Sequence, residues 1–214
     1  MTAVNGTAAI MAVSATVLAV GVAACDKDSS PVTSPFPASA TSSPAGSSAS
    51  GSGSTAPTSG SGQPVDYTRL LITARDVLAP DDVYTAQPPV LNPNGTQGAE
   101  VLFTNHDQTR AIGDSIVNLP DSAAAASALR LAGASLGTSV TGGDPQPSPV
   151  GTGGTVVSGM SPDATKTVTI LMFTEGRGFA RLEFDSAPGN PTPADFVTDI
   201  GQKQDIALRT GLSR

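Results

Sequence analysis

The sequence is poor in the residue types that build disulfide frameworks, metal centres and large aromatic cores. Its 214 residues include one cysteine, Cys25, one histidine, His106, and no tryptophan, and aromatic residues make up 4%. One cysteine excludes an intramolecular disulfide. A metal site built on His and Cys ligands is excluded by the same count, because these two residues are far apart in the chain. We therefore expect no metal and no other cofactor.

Basic residues are also scarce. The chain has 11 Lys and Arg against 18 Asp and Glu, which gives a formal net charge of −7. Proteins that bind nucleic acid or anionic lipid surfaces through charge need a basic face. The charge balance therefore argues against nucleic acid as a partner.

The N-terminus carries an uncharged apolar run over residues 8–21 that ends at Val22, Ala23, Ala24 and Cys25. This run has the length of a signal peptide and is too short for a convincing transmembrane helix. The four residues that end it are typical of a bacterial lipobox. They predict a lipoprotein signal peptide over residues 1–24, signal-peptidase recognition through Val22, Ala23 and Ala24, and lipidation of Cys25. The alternative is an ordinary cysteine behind a cleavable signal.

The first seven residues contain no Lys or Arg, although a signal peptide normally begins with positive charge. Either the amino terminus supplies that charge alone, or the true start lies upstream of Met1. Two or three acyl chains on the cysteine would hold the protein stably on a membrane.

Residues 25–65 form the second region, in which Ser29 to Pro64 is rich in Ser, Pro and Gly and has no charged residue. Such a composition cannot offset the entropy lost on ordering, so we expect a disordered linker. It predicts a spacer that lifts a domain from the membrane. The Ser/Thr-Pro content is equally typical of an O-glycosylated stalk.

Residues 66–214 are predicted to form a single α+β extracytoplasmic domain, an antiparallel β-sheet packed by two main helices. Strands are expected over 99–103, 111–117 and 155–158. A capping box from Thr73 to Asp76 predicts a short helix that Pro80 ends. The segments 88–95 and 142–149 are expected to be loops.

The clearest predicted element is a hairpin in which strands 167–174 and 179–186 flank a Gly176-Arg177 turn. This register pairs Phe173 with Ala180, Leu171 with Leu182 and Thr169 with Phe184, and places all six on one face, which we expect to be the core face. The opposite face would hold Ile170, Met172, Arg181 and Glu183.

Two longer helices are predicted. Asp121 is the expected N-cap of the first, whose apolar stripe is Ala125, Leu129, Ala132 and Leu136, with Gly137 as its stop. The second starts at Thr192-Pro193 and ends at Gly211. Its buried stripe is interrupted by Gln204, which we expect either to hydrogen-bond backbone in the core or to line a small pocket.

Few residues point to catalysis. A hydrolase would need His106 beside Ser115 or Ser158, but a histidine in a polar turn is more often solvated. The run from Gly151 to Thr155 lacks the Lys-Ser/Thr ending of a phosphate loop and precedes a strand, so it favours a structural loop. Arg177 at a hairpin tip is more often solvent-facing than a binding residue. We therefore expect no enzymatic activity.

With the lipobox and linker, the segments Gly151 to Val157, Ser161 to Asp163 and Asp195 to Asp205 resemble small mycobacterial and other actinobacterial lipoproteins of the Lpq/Lpp type. That resemblance implies a compact α+β domain without an assigned activity. The sheet with a C-terminal helix is also similar to the extracellular sensor domain of mycobacterial Ser/Thr kinases, without its disulfide cysteines, and a PsbP-like sandwich is a further possible fold.

The predicted function is that of a non-catalytic binding or accessory module of the cell envelope. It would sit at the cell membrane, lipid-anchored on the extracytoplasmic face, with an unknown envelope protein or lipid as partner. The alternative is a carrier that holds an apolar envelope lipid between helix and sheet. The carrier predicts a cavity between Leu129 and Leu136 on one side and Leu171, Phe184 and Phe196 on the other.

Overall fold

The computed structural model describes residues 65–80 and 82–212. The predicted signal peptide, its recognition residues Val22, Ala23 and Ala24, the lipidation site Cys25 and the linker up to Pro64 lie outside the described residues. They stay predictions.

The described part of the chain has the predicted α+β fold, with one large antiparallel sheet and two α-helices. The strands are β1 Leu78–Ala79, β2 Asp82–Ala86, β3 Val90–Leu91, β4 Gly98–Asn105, β5 Arg110–Asn118, β6 Gln146–Pro147, β7 Thr152–Met160, β8 Thr167–Glu175 and β9 Gly178–Ser186. The helices are α1 Ser122–Ala134 and α2 Ala194–Leu212, and short 3₁₀ helices cover Thr68–Leu70, Pro93–Gly95 and Leu136–Thr138. The strand order is β1-β2-β4-β5-β9-β8-β7-β6, and β3 also pairs with β4.

The central hairpin β8–β9 has the predicted register. Phe173 pairs with Ala180, Leu171 with Leu182 and Thr169 with Phe184. The turn is the predicted two-residue one, and Gly176 has a φ of 55°, which glycine adopts without steric cost.

The sheet separates two hydrophobic cores. On the face covered by α2, the larger core contains Leu171, Phe173 and Phe184 from the hairpin and Ile200 from the helix. On the face covered by α1, the smaller core includes Ile170 and Met172. The prediction of one core face was therefore incomplete: β8 is buried on both sides, as its nearly continuous apolar sequence allows. We call these surfaces the α2 face and the α1 face.

The helix predictions are largely confirmed. Asp121 caps α1 by accepting a hydrogen bond from the Ala124 backbone N–H. The helix ends at Ala134, before the expected stop at Gly137, because the chain tightens there into a 3₁₀ turn. The last helix continues to Leu212 and passes Gly211, which lies against Leu70 in the core.

Three local predictions were wrong. Thr73 to Asp76 forms a single turn rather than a helix, because the Asp76 carboxylate accepts both the N–H and the hydroxyl of Thr73 and the chain then enters β1. Strands β3 and β6 lie within the segments 88–95 and 142–149, which are predicted to be loops, and β2 lies in a segment for which no element is predicted. Strand β7 begins at Thr152, earlier than expected, and its register shifts between Thr152 and Thr155.

Candidate functional site

Helix α1 covers only part of the α1 face. Helix α1 packs on β8 and β9, whereas β4 and β5 carry half-buried side chains there, including Glu100, Leu102 and Ser115. Val90 of the edge strand β3 is 49% exposed. This open part of the α1 face is the candidate site.

Strand register explains why the open surface is a groove. Ser115 of β5 is paired with Glu100 of β4 on one side and with Arg181 of β9 on the other. One step along the strands, Gly113 lies between Leu102 and Glu183. Two small residues thus form a trough between two ridges of long side chains, and the ridges are about 9–10 Å apart, or two strand spacings.

The groove encloses a cavity of about 210 Å³. Its floor and walls come from the four strands β3, β4, β5 and β9 and from Gln87 and Pro88, which lie between β2 and β3. The lining residues that give it its chemistry are Pro88, Val90, Glu100, Leu102, Ser115, Arg181 and Glu183. Apolar and ionisable groups therefore face the same space.

The charges in the groove are unequally satisfied. Arg181 Nη2 lies 2.5 Å from Glu183 Oε2, and both side chains are largely buried. Glu100 Oε2 is buried and has no hydrogen-bond partner. The groove has two glutamates and one arginine. Because Arg181 is paired with Glu183, the Glu100 carboxylate has no basic side chain to balance its charge.

Beyond Glu183 on β9, Asp185 is paired with Lys166 Nζ at 2.5 Å. Burial raises the pKa of Asp185 and the nearby Glu183 adds to this, while the hydrogen bond and charge of Lys166 act against it. Asp185 Oδ1 has no hydrogen-bond partner. This end of the α1 face is therefore also short of hydrogen-bond donors.

The structure does not assemble a hydrolase triad from the predicted candidates. His106 is exposed in the β4–β5 turn. Ser115 lies opposite Glu100, and the stretch from Glu100 to His106 spans about 20 Å at strand rise. Ser158 lies on β7, and strands β9 and β8 separate β7 from β5. Strands β7 and β5 are therefore about 14 Å apart. The Ser158 hydroxyl is hydrogen-bonded to the Thr169 hydroxyl at 2.9 Å.

The glycine-rich run from Gly151 to Thr155 has a structural role, but the predicted loop is wrong for most of it, because Thr152 to Thr155 belong to strand β7. Gly151 and Gly153 have positive φ values of 57° and 67°. A Cβ on Gly151 would lie 2.4 Å from the Phe173 ring, so the close approach of backbone to core excludes a side chain there. Arg177 is exposed at the hairpin tip.

Gln204 takes the first of its two predicted roles. Its side chain is fully buried, its Nε2 donates to the Leu70 carbonyl at 2.8 Å, and its Oε1 accepts the Ile72 N–H at 3.0 Å. It therefore joins α2 to the segment that precedes β1.

The carrier alternative predicts a cavity between α1 and the hairpin core, and this prediction was wrong. Leu129 and Leu136 belong to the core on the α1 face, whereas Leu171, Phe184 and Phe196 belong to the core on the α2 face. The sheet itself lies between the two sets, so they cannot enclose a common cavity.

Sequence reasoning placed Arg181 and Glu183 on one face but did not connect them with Glu100 or Ser115. These residues come from three strands that are far apart in the sequence, and only the pairing of β5 with both β4 and β9 brings them together. The available signal was the alternation of β4, which puts Glu100 opposite the core-facing Val101.

Among the described residues, no group of three or more His, Cys, Asp or Glu side chains is arranged to hold a metal ion. Within the same part of the chain, neither helix has the length and apolarity needed to cross a membrane.

Comparison with known proteins gives one structural match. No family model matches the sequence, and no curated protein matches it. The extracellular domain of PknH from Mycobacterium tuberculosis is similar to this chain with a TM-score of 0.48 and 11% sequence identity, over 67% of this chain and 98% of that domain. The resemblance to Lpq/Lpp-type lipoproteins stays a prediction.

Proposed function

We propose that this protein is an exported, non-catalytic binding module, held on the outer face of the cell membrane by lipid on Cys25, and that the groove on the α1 face is its binding surface. The observation that carries the binding role is the groove itself. It combines apolar walls with a buried, unpartnered carboxylate oxygen on Glu100. A few placed polar groups within apolar walls are typical of ligand sites.

The location is supported by the lipobox that ends at Cys25. An anchor confines the module to a thin layer at the membrane, so its effective concentration near envelope partners rises without any new contact. The exposed position of His106, remote from both candidate serines, supports the non-catalytic part of the proposal.

The anchor is tested by metabolic labelling with an alkyne analogue of palmitate. The wild type and a linker control, Ser42→Ala, should incorporate the label, whereas Cys25→Ala should not. External protease should remove the labelled protein from intact cells. Equal labelling of Cys25→Ala, or protection from the protease, would contradict the proposed anchor or its location.

The binding role is tested separately, by photo-crosslinking in intact cells. A benzophenone amino acid is placed either at Val90, in the groove, or at Ile206, on the outer side of α2. The two positions are comparably exposed, at 49% and 56%. We expect a defined crosslinked species from Val90 alone, and equal crosslinking from both positions would argue against the groove.

A further inference from the structure

We propose that the groove binds a primary ammonium group carried on a short apolar chain. This inference rests on the proposed binding role and names the chemistry that the groove recognises. The site consists of the Glu100 carboxylate, the Ser115 hydroxyl and the apolar side chains of Pro88, Val90 and Leu102, next to the Arg181–Glu183 ion pair.

The sign of the ligand's charge follows from the charges in the groove. Arg181 is already neutralised by Glu183 at 2.5 Å. Glu100 lines the cavity, and its buried Oε2 has no hydrogen-bond partner. An ionised carboxylate can only accept hydrogen bonds. A buried acceptor or carboxylate without a partner is costly, so a cation that donates hydrogen bonds gains from entering. The net charge of −7 of the whole chain also attracts cations.

The strand register supplies a second acceptor at the right place. Glu100 and Ser115 form a cross-strand pair, and such pairs have Cβ atoms about 4.5–5.5 Å apart on the same face. An ammonium group has three N–H donors. It can therefore donate to the carboxylate and to the neighbouring hydroxyl at once, whereas a quaternary ammonium cannot.

The apolar walls define the rest of the ligand. Val90 lies directly opposite Glu100 on the other side, and Leu102 and Pro88 continue the apolar surface. The cavity of about 210 Å³ is smaller than the roughly 300–1,000 Å³ of most drug-sized ligand sites. It suits a short alkylammonium or the end of a lysine side chain.

The test uses the purified full-length protein in a non-ionic detergent and compares n-butylammonium, n-butanol and n-butyrate. Binding is followed by calorimetry and by the backbone amide shifts of Gly113 and Ser115. We expect the ammonium to bind and to shift these amides, and we expect the neutral and anionic analogues to bind at least about tenfold more weakly, or about 1.4 kcal/mol.

Two sources could supply the same chemistry, a free amine or the lysine of a peptide. A capped Ala-Lys-Ala tripeptide and its norleucine counterpart separate them. Tighter binding of the lysine tripeptide than of butylammonium would assign the site to a protein lysine. Equal or weaker binding would assign it to small free amines.

Two variants test the assigned residues. Glu100→Gln should weaken ammonium binding at least about tenfold, because it removes a charge-assisted hydrogen bond. Asp107→Asn makes the same change of charge at an exposed turn outside the groove and should leave binding within about twofold, since distant surface changes act weakly. Val90→Lys places an ammonium opposite Glu100 within the chain itself, and it should block butylammonium while raising the melting temperature.

Tighter binding of butyrate than of butylammonium would overturn the proposal, because Arg181 would then be the recognising group. Unchanged ammonium binding in both Glu100→Gln and Val90→Lys would overturn it as well. If crosslinking at Val90 persists while no amine binds, the groove is a binding surface for another chemistry. If amines bind but Cys25 carries no lipid, the anchor fails and the ammonium site stands.

Discussion

At the scale of single residues, Asp114 is a buried acid that couples the stability of this fold to pH. It lies on the α2 face of β5 with 1% exposure, and neither carboxylate oxygen has a hydrogen-bond partner. Burial raises the pKa of Asp114 to about 8, and the nearby Ile72 backbone N–H offsets only part of that effect. The carboxyl is therefore mostly protonated at neutral pH.

This predicts a specific pH dependence of stability. The folded pKa of Asp114, about 8, lies above its ordinary value of 3.8. Protonation of Asp114 therefore makes its full contribution to the free energy of unfolding below that ordinary value. This contribution is lost as the pH rises towards the folded pKa, at about 1.4 kcal/mol per pH unit. Asp114→Asn should flatten the curve over this range and should be more stable than the wild type above pH 8.

The measurement is urea unfolding of the wild type and Asp114→Asn from pH 4 to pH 9. The exposed Asp107→Asn variant is the matched control and should follow the wild-type curve. Parallel curves for the wild type and Asp114→Asn would show that Asp114 does not titrate in this way.

Gln204 carries a second prediction at this scale. Gln204→Met keeps most of the side-chain volume but leaves the Ile72 N–H and the Leu70 carbonyl without their buried partner. We expect a loss of about 2–6 kcal/mol in the free energy of unfolding, because each of the two unsatisfied buried groups costs about 1–3 kcal/mol. Gln202→Met, on the exposed side of the same helix, should change it by less than about 0.5 kcal/mol. Equal effects of the two substitutions on chemical denaturation would contradict this role.

Single residues also show what sequence can and cannot reveal. Gln204 was recognisable because a polar residue interrupted the apolar stripe of a helix. Asp114 carried a similar signal, because alternation along the strand places it on the same face as Ile112 and Ile116. Only the strand register shows that it lies between Val101 and Leu182 in the core.

At the scale of elements, the contact between α2 and the sheet depends on a small residue. Gly201 lies where a Cβ would approach Leu171 Cδ2 to 2.3 Å and both methyl groups of Val150 to 3.2 Å. Since Leu171 is fully buried, it has little room to move. The helix therefore lies close on the sheet because position 201 has no side chain.

The matched pair Gly201→Ala and Gly133→Ala tests this packing. The same substitution should destabilise at Gly201 by about 1–3 kcal/mol through overpacking. At Gly133 of α1 a Cβ would meet nothing within 4 Å, so alanine should stabilise by about 0.5–1 kcal/mol through its helix propensity. Thermal unfolding of both variants gives the comparison, and a loss of stability at both sites would contradict the packing argument.

The sequence predicted elements best where local signals agreed. The β8–β9 hairpin had a short glycine turn and, in β9, alternating side chains, and α1 had an N-cap aspartate. The hairpin register and the helix start were both confirmed. The two-residue strands β1, β3 and β6 have too few residues for any periodicity. They exist because β2, β4 and β7 offer them an edge.

At the scale of the whole molecule, the sheet separates a larger hydrophobic core from a smaller one among the described residues. Helix α2 covers the larger core, and α1 covers only the β8–β9 side of the other face. The groove lies on the uncovered β4–β5 side. Local alternation can place Glu100 on the face opposite Val101, but it cannot reveal the whole site, because the site depends on which strands become neighbours.

The central claim is that this domain works as a lipid-anchored module, and intact-mass measurement of the membrane fraction tests it most directly. The account predicts a mature wild-type protein that begins at Cys25 and carries the additional mass of its acyl groups. Cys25→Ala should lack both the cleavage and the added mass. A wild-type protein that is unacylated and recovered outside the membrane fraction would contradict the claim.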